Sequence, residues 1–199
     1  RTAEPERRRS SPERRTVNGW IVLAAVTLVV VLLAGFYLSM TAGRLDHLHR
    51  RIDMSRLALE AQLLRRSSVA IELASSGVLD PATSIVVAEA AHEARTATDG
   101  SDVDRDLAES DLTAALVAAM DADDVAEVAA SAGGPQMLAE LDASCRRVQL
   151  SRRFLNDAVR ACRQLRRQRA VRLFRLAGHT PWPDTWEMDD TVPAGLLEP

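Results

Sequence analysis

Hydrophobic residues are arranged in two ways along the chain, and the first is one long uncharged run. The sequence GWIVLAAVTLVVVLLAGFYLSM fills positions 19–40, with Trp20 and Tyr37 near its ends, where interfacial aromatics are common. About 20 apolar residues are enough to cross the hydrocarbon core of a bilayer. A cleaved signal peptide has an apolar region of only about 7–15 residues and a small-residue cleavage site, and no clear site follows here. The run therefore predicts a transmembrane helix over residues 18–42.

After this run, hydrophobic positions recur at steps of three and four residues, which is the period of amphipathic helices. Leu45, Leu48 and Ile52 begin this pattern, and no helix breaker separates them from the apolar run, so the two helices are expected to be nearly continuous. Turn-forming residues interrupt the pattern at GVLDP (77–81) and at GGP (133–135). Four helices are predicted, over residues 44–76, about 81–98, about 103–131 and about 136–177.

The composition also favours helices. Hydrophobic residues make up 47% of the chain and aromatic residues only 4%, because most of the hydrophobic residues are Ala, Leu and Val, and Ala and Leu are strong helix formers. Four amphipathic helices joined by short turns can bury their apolar faces in a bundle. The predicted fold is all-α, with the transmembrane helix followed by an antiparallel four-helix bundle over 44–177. Residues 1–17 are basic and polar and are predicted to be disordered, and residues 178–199 are predicted to form an extended tail.

Charge is divided unevenly within the predicted bundle. Residues 80–142 contain 15 acidic residues and two arginines, whereas residues 143–178 contain 11 arginines and one acidic residue. On a helical wheel, the arginines of residues 152–163 lie beside the apolar stripe, where they can meet a neighbouring helix. We therefore expect them to pair with acidic residues of the third helix. Exposed ion pairs contribute at most about 1 kcal/mol each, but they can determine which helices are neighbours.

The arginines that follow Gln164 point to most sides of the helix, so one neighbouring helix cannot pair with all of them. In an antiparallel bundle the fourth helix returns towards the membrane, with this basic end near the lipid headgroups. Arginines near an anionic membrane surface contribute about 1 kcal/mol each, and Leu173, Phe174 and Leu176 could enter the interface. The lipid bilayer is therefore an expected partner. The predicted headgroup contacts are Arg166, Arg167, Arg169, Arg172 and Arg175.

The fourth helix also contains a motif that resembles one in the LemA family of bacterial membrane proteins. The run SRRFLNDAVR at 151–160 is similar to the family's A-R-R-x-Y-N-D-A-V-R-D-Y-N, Leu173-Phe174 matches further on, and Trp186-Glu187 stands where Phe-Glu is usual. Leu155 replaces the motif tyrosine, and residues 161–163 replace Asp-Tyr-Asn. The resemblance implies a single-pass membrane protein with a helical bundle. The matching positions of the motif are Arg152, Arg153, Asn156, Asp157, Ala158, Val159 and Arg160.

The sequence contains no motif that indicates catalysis. It has no phosphate-binding loop, no G-x-S-x-G elbow and no C-x-x-C pair. His92 has Glu89 and Glu93 at helical spacing, an arrangement that can ligate a metal but is more often a solvated helix face. Cys145 and Cys162 are about 25 Å apart if they lie on one helix, which is too far for a disulfide. We therefore expect no enzymatic activity, no metal and no cofactor.

Two functions agree with these features. The first is a non-enzymatic LemA-like protein that scaffolds or contacts other cell-envelope proteins, and the second is a membrane sensor or signalling module that transmits movement of the transmembrane helix. Nucleic acid is not an expected partner, because an acidic region of similar size lies beside the arginines. The expected location is the cell membrane, with a single span. Six arginines before the span and four in the 20 residues after it favour a bundle outside the cytoplasm, whereas headgroup contact by the basic end favours the cytoplasmic side.

Overall fold

A computed structural model describes residues 13–97, 102–178 and 180–197. Every regular element in these ranges is helical, which confirms the predicted all-α class. Residues 1–12 of the segment predicted to be disordered lie outside the described residues, and residues 13–17 belong to the first helix. The elements are α1 (Glu13–Ser75), α2 (Pro81–Thr96), α3 (Asp102–Ala119), α4 (Ala122–Ala130), α5 (Gly134–Arg166), α6 (Arg169–Leu173) and a short 3₁₀ helix (Ala194–Leu196).

Helix α1 continues without a break from the apolar run into the first amphipathic segment. Its 63 residues extend about 95 Å at 1.5 Å per residue. An apolar window near its start has a mean hydropathy of 2.8 and is long enough to cross a membrane. A signal sequence or the core helix of a soluble protein meets the same criteria, but a core helix is mostly buried, whereas none of this window is buried. Helix α1 is thus a candidate membrane span joined directly to the folded part of the chain.

Three hydrophobic clusters join the second half of α1 to α5. The α1 members advance along the chain from one cluster to the next, while the α5 members go backwards. Burying each Leu or Val side chain stabilises the fold by about 1.5–3 kcal/mol, so this long contact forms much of the core. The paired members are Leu45 with Cys162 and Leu165, Leu59 and Leu63 with Val148, Leu155 and Val159, and Leu73 with Leu138, Leu141 and Cys145.

Helices α2 and α3 complete the cluster farthest from the apolar run. The chain reverses after α1 at Gly77, whose φ of 78° lies in the left-handed region that glycine adopts without steric cost. Asp80 then caps α2, because its Oδ1 accepts hydrogen bonds from the backbone N–H groups of residues 82 and 83 at 2.9 and 3.3 Å. Val87 of α2 and Leu112 of α3 are fully buried in this cluster.

The third and fourth predicted helices are each shorter than expected. The prediction of one helix over 103–131 is wrong, because Asp121 adopts an extended conformation and its carboxylate caps α4 instead. The prediction of one helix over 136–177 is also wrong, because α5 ends at Arg166. Leu165 and Val171 both pack in the cluster around Leu45. On one continuous helix they would point in directions about 120° apart, so the break allows both side chains to enter the same cluster.

The C-terminal residues, which were predicted to form an extended tail, are part of the core, and residues 194–196 form the 3₁₀ helix. Residues 180–193, called the tail below, form no regular element. Trp186, Met188 and Val192 of the tail are buried, and the first two pack in the central cluster between α1 and α5. The tail therefore packs on the helices and contributes apolar side chains to the clusters that join them.

Candidate functional site

The tail lies along α5, where polar side chains on one face of the helix bind it. Gln149 Nε2 donates to the backbone oxygen of Asp190 at 2.7 Å. Arg152 donates to both carboxylate oxygens of Asp190, from Nε to Oδ2 at 2.7 Å and from Nη2 to Oδ1 at 2.8 Å. Asn156 Nδ2 donates to the Trp186 carbonyl at 3.1 Å, and Asn156 Oδ1 accepts the Trp186 N–H at 2.9 Å. Asn156 thus satisfies both backbone groups of Trp186, which an extended segment outside a sheet would otherwise leave unpaired.

Two arginines at the end of α5 hold the first residues of the tail. Arg163 donates to one backbone carbonyl and one carboxylate of the tail, and Arg166 donates to two backbone carbonyls. Arg166 also lies 5.0 Å from the centroid of the Trp182 ring. These contacts fix the direction in which the tail leaves the end of the helix. The bonds are Arg163 Nε to Pro183 O at 2.7 Å, Arg163 Nη2 to Asp184 Oδ1 at 2.8 Å, Arg166 Nη1 to Pro181 O at 2.6 Å and Arg166 Nη2 to Thr180 O at 2.7 Å.

Trp186 is the largest side chain that the tail buries, and it is only 3% exposed. Its ring lies 5.7 Å from the Arg56 guanidinium of α1 and 5.2 Å from the Arg105 guanidinium of α3. Both distances are within the range of cation–π attraction. Arg105 is held in place by Glu60 of α1, with Nη1 and Oε1 3.2 Å apart. Trp186 therefore joins the tail to α1 and α3 as well as to α5.

A buried ion pair connects α1, α3 and the tail. Arg66 donates from Nη2 to Glu109 Oε2 at 2.7 Å and from Nη1 to Thr113 Oγ1 at 2.9 Å. Thr113 Oγ1 also lies 2.9 Å from the backbone oxygen of Asp189, to which it can donate. Burial raises the pKa of Glu109 above its ordinary value, although the Arg66 charge opposes this. The pKa of Asp189 is lowered, because its carboxylate accepts hydrogen bonds from Thr191.

The expected pairing of the α5 arginines with the third helix is wrong. Arg152 and Arg163 pair with Asp190 and Asp184 of the tail, and Arg160 pairs within its own helix with Asp157. The reason is that the tail occupies the surface of α5 on which Arg152 and Arg163 lie. The acidic third helix pairs with α1 instead, through the buried contact between Glu109 and Arg66.

The seven residues that the sequence analysis singled out between positions 152 and 160 are divided between the core, the tail contact and the exposed surface. Ala158 and Val159 are buried in the interior, and Asn156 is buried beneath the tail. Arg152 binds the tail, while Arg153, Asp157 and Arg160 are exposed. Four of these seven residues therefore lie in the interior or bind the tail, and the other three are exposed. Sequence reasoning did not identify Gln149, Asp184 or Asp190 as parts of this contact, although acidic residues beside Trp186 were a possible signal.

The basic segment at the end of α5 and in α6 lies next to the part of α1 that directly follows the apolar run. Val171 of α6 is buried in the cluster around Leu45. Leu173 and Phe174 are 77% and 55% exposed. Headgroup contact by the five predicted arginines stays a prediction. Arg166 donates a hydrogen bond to the tail. The other four arginines, Arg167, Arg169, Arg172 and Arg175, are exposed.

Neither cysteine has the setting of a reactive thiol. Cys145 and Cys162 are free and buried, and burial raises the pKa of both thiols. A raised pKa lowers the fraction of the nucleophilic thiolate. His92 is exposed on α2. Across residues 13–97, 102–178 and 180–197, no group of three or more His, Cys, Asp or Glu side chains could hold a metal ion.

Comparisons with known proteins add no family or neighbour to this description. The chain matches no protein-family model, no curated protein and no solved structure.

Proposed function

We propose that this protein is a membrane-anchored, non-enzymatic scaffold of the LemA type. In this proposal the first part of α1 crosses the membrane once, and residues 44–177, which begin with the second half of α1, form an antiparallel four-helix bundle that contacts other cell-envelope proteins. The reversed order of the clusters on α1 and α5 supports the antiparallel arrangement. The apolar window of α1 supports the anchor, and the absence of a catalytic motif from the sequence supports a role in binding.

The observation that carries this proposal is a set of exposed apolar side chains on the outer faces of α1 and α5. Met54, Leu57 and Leu64 of α1 are exposed, as are Leu150 and Phe154 of α5. At about 100° per residue these side chains lie roughly 120–160° from the buried faces of their helices. The central cluster, which joins the middle of α1 to the middle of α5, places the two runs at the same level. Exposed Leu, Met and Phe side chains on the outer face of a helix offer an apolar surface to a partner protein.

Site-specific photocrosslinking in membranes would test the scaffold. A photoreactive residue is placed at Leu57 or Phe154 in the full chain, and the matched control carries it at Arg153, which is also exposed on α5. We expect an envelope protein to crosslink at residue 57 or residue 154 and not at residue 153. An adduct at residue 154 should disappear when Leu150, one turn away on α5, is changed to Ser. Crosslinking of equal yield at all three positions, or none at residues 57 and 154, would contradict the proposal.

The second candidate function is a sensor or signalling module, and the unbroken course of α1 favours it. A helix without a hinge between the apolar run and the core can carry a rotation or shift of the span into the clusters around Leu45 and Leu59. Two glycines inserted after Gly43 would interrupt this connection. If the protein is a signalling module, we expect the insertion to abolish signalling. Protection of the tail from proteases would show that the variant is still folded. A scaffold would keep its crosslinks after the same change.

A further inference from the structure

We propose that α6 and the residues that flank it form a docking element for anionic lipid headgroups. The ligand chemistry is a phosphate-bearing headgroup at the surface of the same membrane that α1 crosses. This inference rests on the proposed membrane anchor. It adds a lipid class and a defined set of residues to that anchor.

The position of α6 relative to the proposed membrane surface follows from its contact with α1. The apolar run ends at Met40, and Leu45 is one to two helical turns farther along, about 8 Å at 1.5 Å per residue. Val171 of α6 is buried in the cluster around Leu45, and Leu176 packs on the same cluster. The headgroup region adds about 5–8 Å to each side of the hydrocarbon core. If α1 spans the membrane, α6 is therefore held at the level of the headgroups.

The charge of α6 and its flanking residues comes from arginine alone. No acidic residue occurs between Asp157 and Asp184. Arg166 is bound by tail carbonyls and lies over Trp182, so it is not available to a headgroup. Each Arg close to an anionic surface strengthens membrane association by roughly fivefold. The exposed arginines that remain are Arg167, Arg169, Arg172 and Arg175.

Exposed apolar side chains stand among these arginines. Val171 attaches α6 to the core, while Leu173 and Phe174 are exposed beside it. The chain turns immediately afterwards, because Arg175 has a φ of 49° and Gly178 a φ of 56°. Cations next to exposed Leu and Phe are typical of segments that lie in a membrane interface, where the apolar groups enter the acyl boundary and the cations meet the phosphates. A nucleic-acid partner would leave Leu173 in water.

The test uses the full chain in lipid nanodiscs, made from phosphatidylcholine alone or with one third phosphatidylglycerol. Hydrogen–deuterium exchange of the amides in residues 167–176 is measured by mass spectrometry. We expect the exchange to be at least fivefold slower in the anionic nanodiscs, with the difference decreasing as salt is added. In the quadruple variant R167Q/R169Q/R172Q/R175Q the difference should disappear. The matched control R147Q/R153Q changes two exposed arginines of α5 that lie farther from the proposed membrane surface. This control should keep the difference in exchange between the two nanodisc compositions.

The results separate this inference from the proposed anchor. If the chain does not enter nanodiscs of either composition, the membrane anchor fails, and the docking element fails with it. If the chain enters both and residues 167–176 exchange equally in both, the docking element alone is overturned. Equal loss of the difference in the quadruple variant and in R147Q/R153Q would also overturn it, since general charge would then explain the effect. Unchanged exchange in residues 180–192 shows that the quadruple variant is folded.

Discussion

Arg152 of α5 binds both carboxylate oxygens of Asp190, a residue 38 positions later in the chain. Both side chains are largely buried, at 21% and 14% exposed. An arginine of the run SRRFLNDAVR (151–160) is therefore used inside the molecule, to hold the tail on the helix. Two parallel bonds from a planar guanidinium specify the position of the carboxylate more closely than a single contact would.

The first prediction concerns this pair. Changing Arg152 to Ala, or Asp190 to Ala, should each lower the free energy of unfolding, and the double variant should be less destabilised than the sum of the two. The expected coupling is about 1.5–3 kcal/mol, the range for hydrogen bonds to charged groups. Urea unfolding of the four proteins in a double-mutant cycle measures it. Additive effects would show that the pair does not stabilise the tail. Arg153→Ala is the matched control, since that side chain is exposed.

The second prediction concerns the aromatic side chain that the tail buries. Trp186→Ala removes a nearly fully buried indole from the central cluster and from its contacts with Arg56 and Arg105. Truncation of a buried Trp typically costs about 3–5 kcal/mol. We therefore expect a large loss of stability and rapid proteolysis within the tail. Trp182→Ala is the control, because Trp182 is 44% exposed and should cost much less. Equal losses in the two variants would contradict a special role for Trp186.

The features that sequence reasoning predicted are those that depend on local pattern. The apolar run, the helical period after it and the turn at 77–81 all reflect preferences of neighbouring residues, and α1 and α2 follow them closely. The break between α3 and α4 was missed, although Asp121 before two further acidic residues is a local capping signal. The apolar stripe of the third predicted helix continues past Asp121, so the helical period indicated one helix and the capping signal was overlooked.

The tail contact could not be predicted in the same way. A segment without a hydrophobic period carries no signal for the surface that it covers. The sequence also contains many acidic residues that one fold or another could bring next to Arg152. Pairing of the α5 arginines with the third helix was expected because they lie beside the apolar stripe of their own helix and because residues 80–142 are rich in acids. What decides the pairing is that the tail buries Trp186 in the central cluster, and this apolar contact brings Asp184 and Asp190 to α5.

The third prediction concerns the buried pair of Arg66 and Glu109. Both side chains are almost completely buried, at 2% and 3% exposed, so removal of one leaves the other charged and unpaired. Glu109→Ala should cost about 3–5 kcal/mol. In the double variant Arg66→Met/Glu109→Leu no buried charge remains, and the loss should be much smaller. Thermal unfolding of the single and double variants compares them. A double variant as unstable as Glu109→Ala would show that the pair is needed for more than mutual neutralisation.

The fourth prediction concerns the acid sensitivity of the tail. Asp189 accepts hydrogen bonds from the Thr191 N–H at 2.9 Å and the Thr191 hydroxyl at 2.6 Å, and these bonds lower its pKa below the ordinary value of 3.8. The folded protein therefore binds a proton at Asp189 less readily than the unfolded chain does. Its contribution to stability is present above pH 3.8 and is lost as the pH falls through the lower pKa of the folded state.

Tail release is followed by hydrogen exchange of the amides around Trp186 as the pH is lowered, after correction for intrinsic exchange. Asp189→Asn removes the titrating group, so the part of the pH dependence that comes from Asp189 should disappear. Thr191→Val removes only the hydroxyl donor, which is the largest cause of the lowered pKa. In that variant the transition should move to higher pH. A transition at the same pH in wild type, Asp189→Asn and Thr191→Val would show that other carboxylates alone control the acid release of the tail.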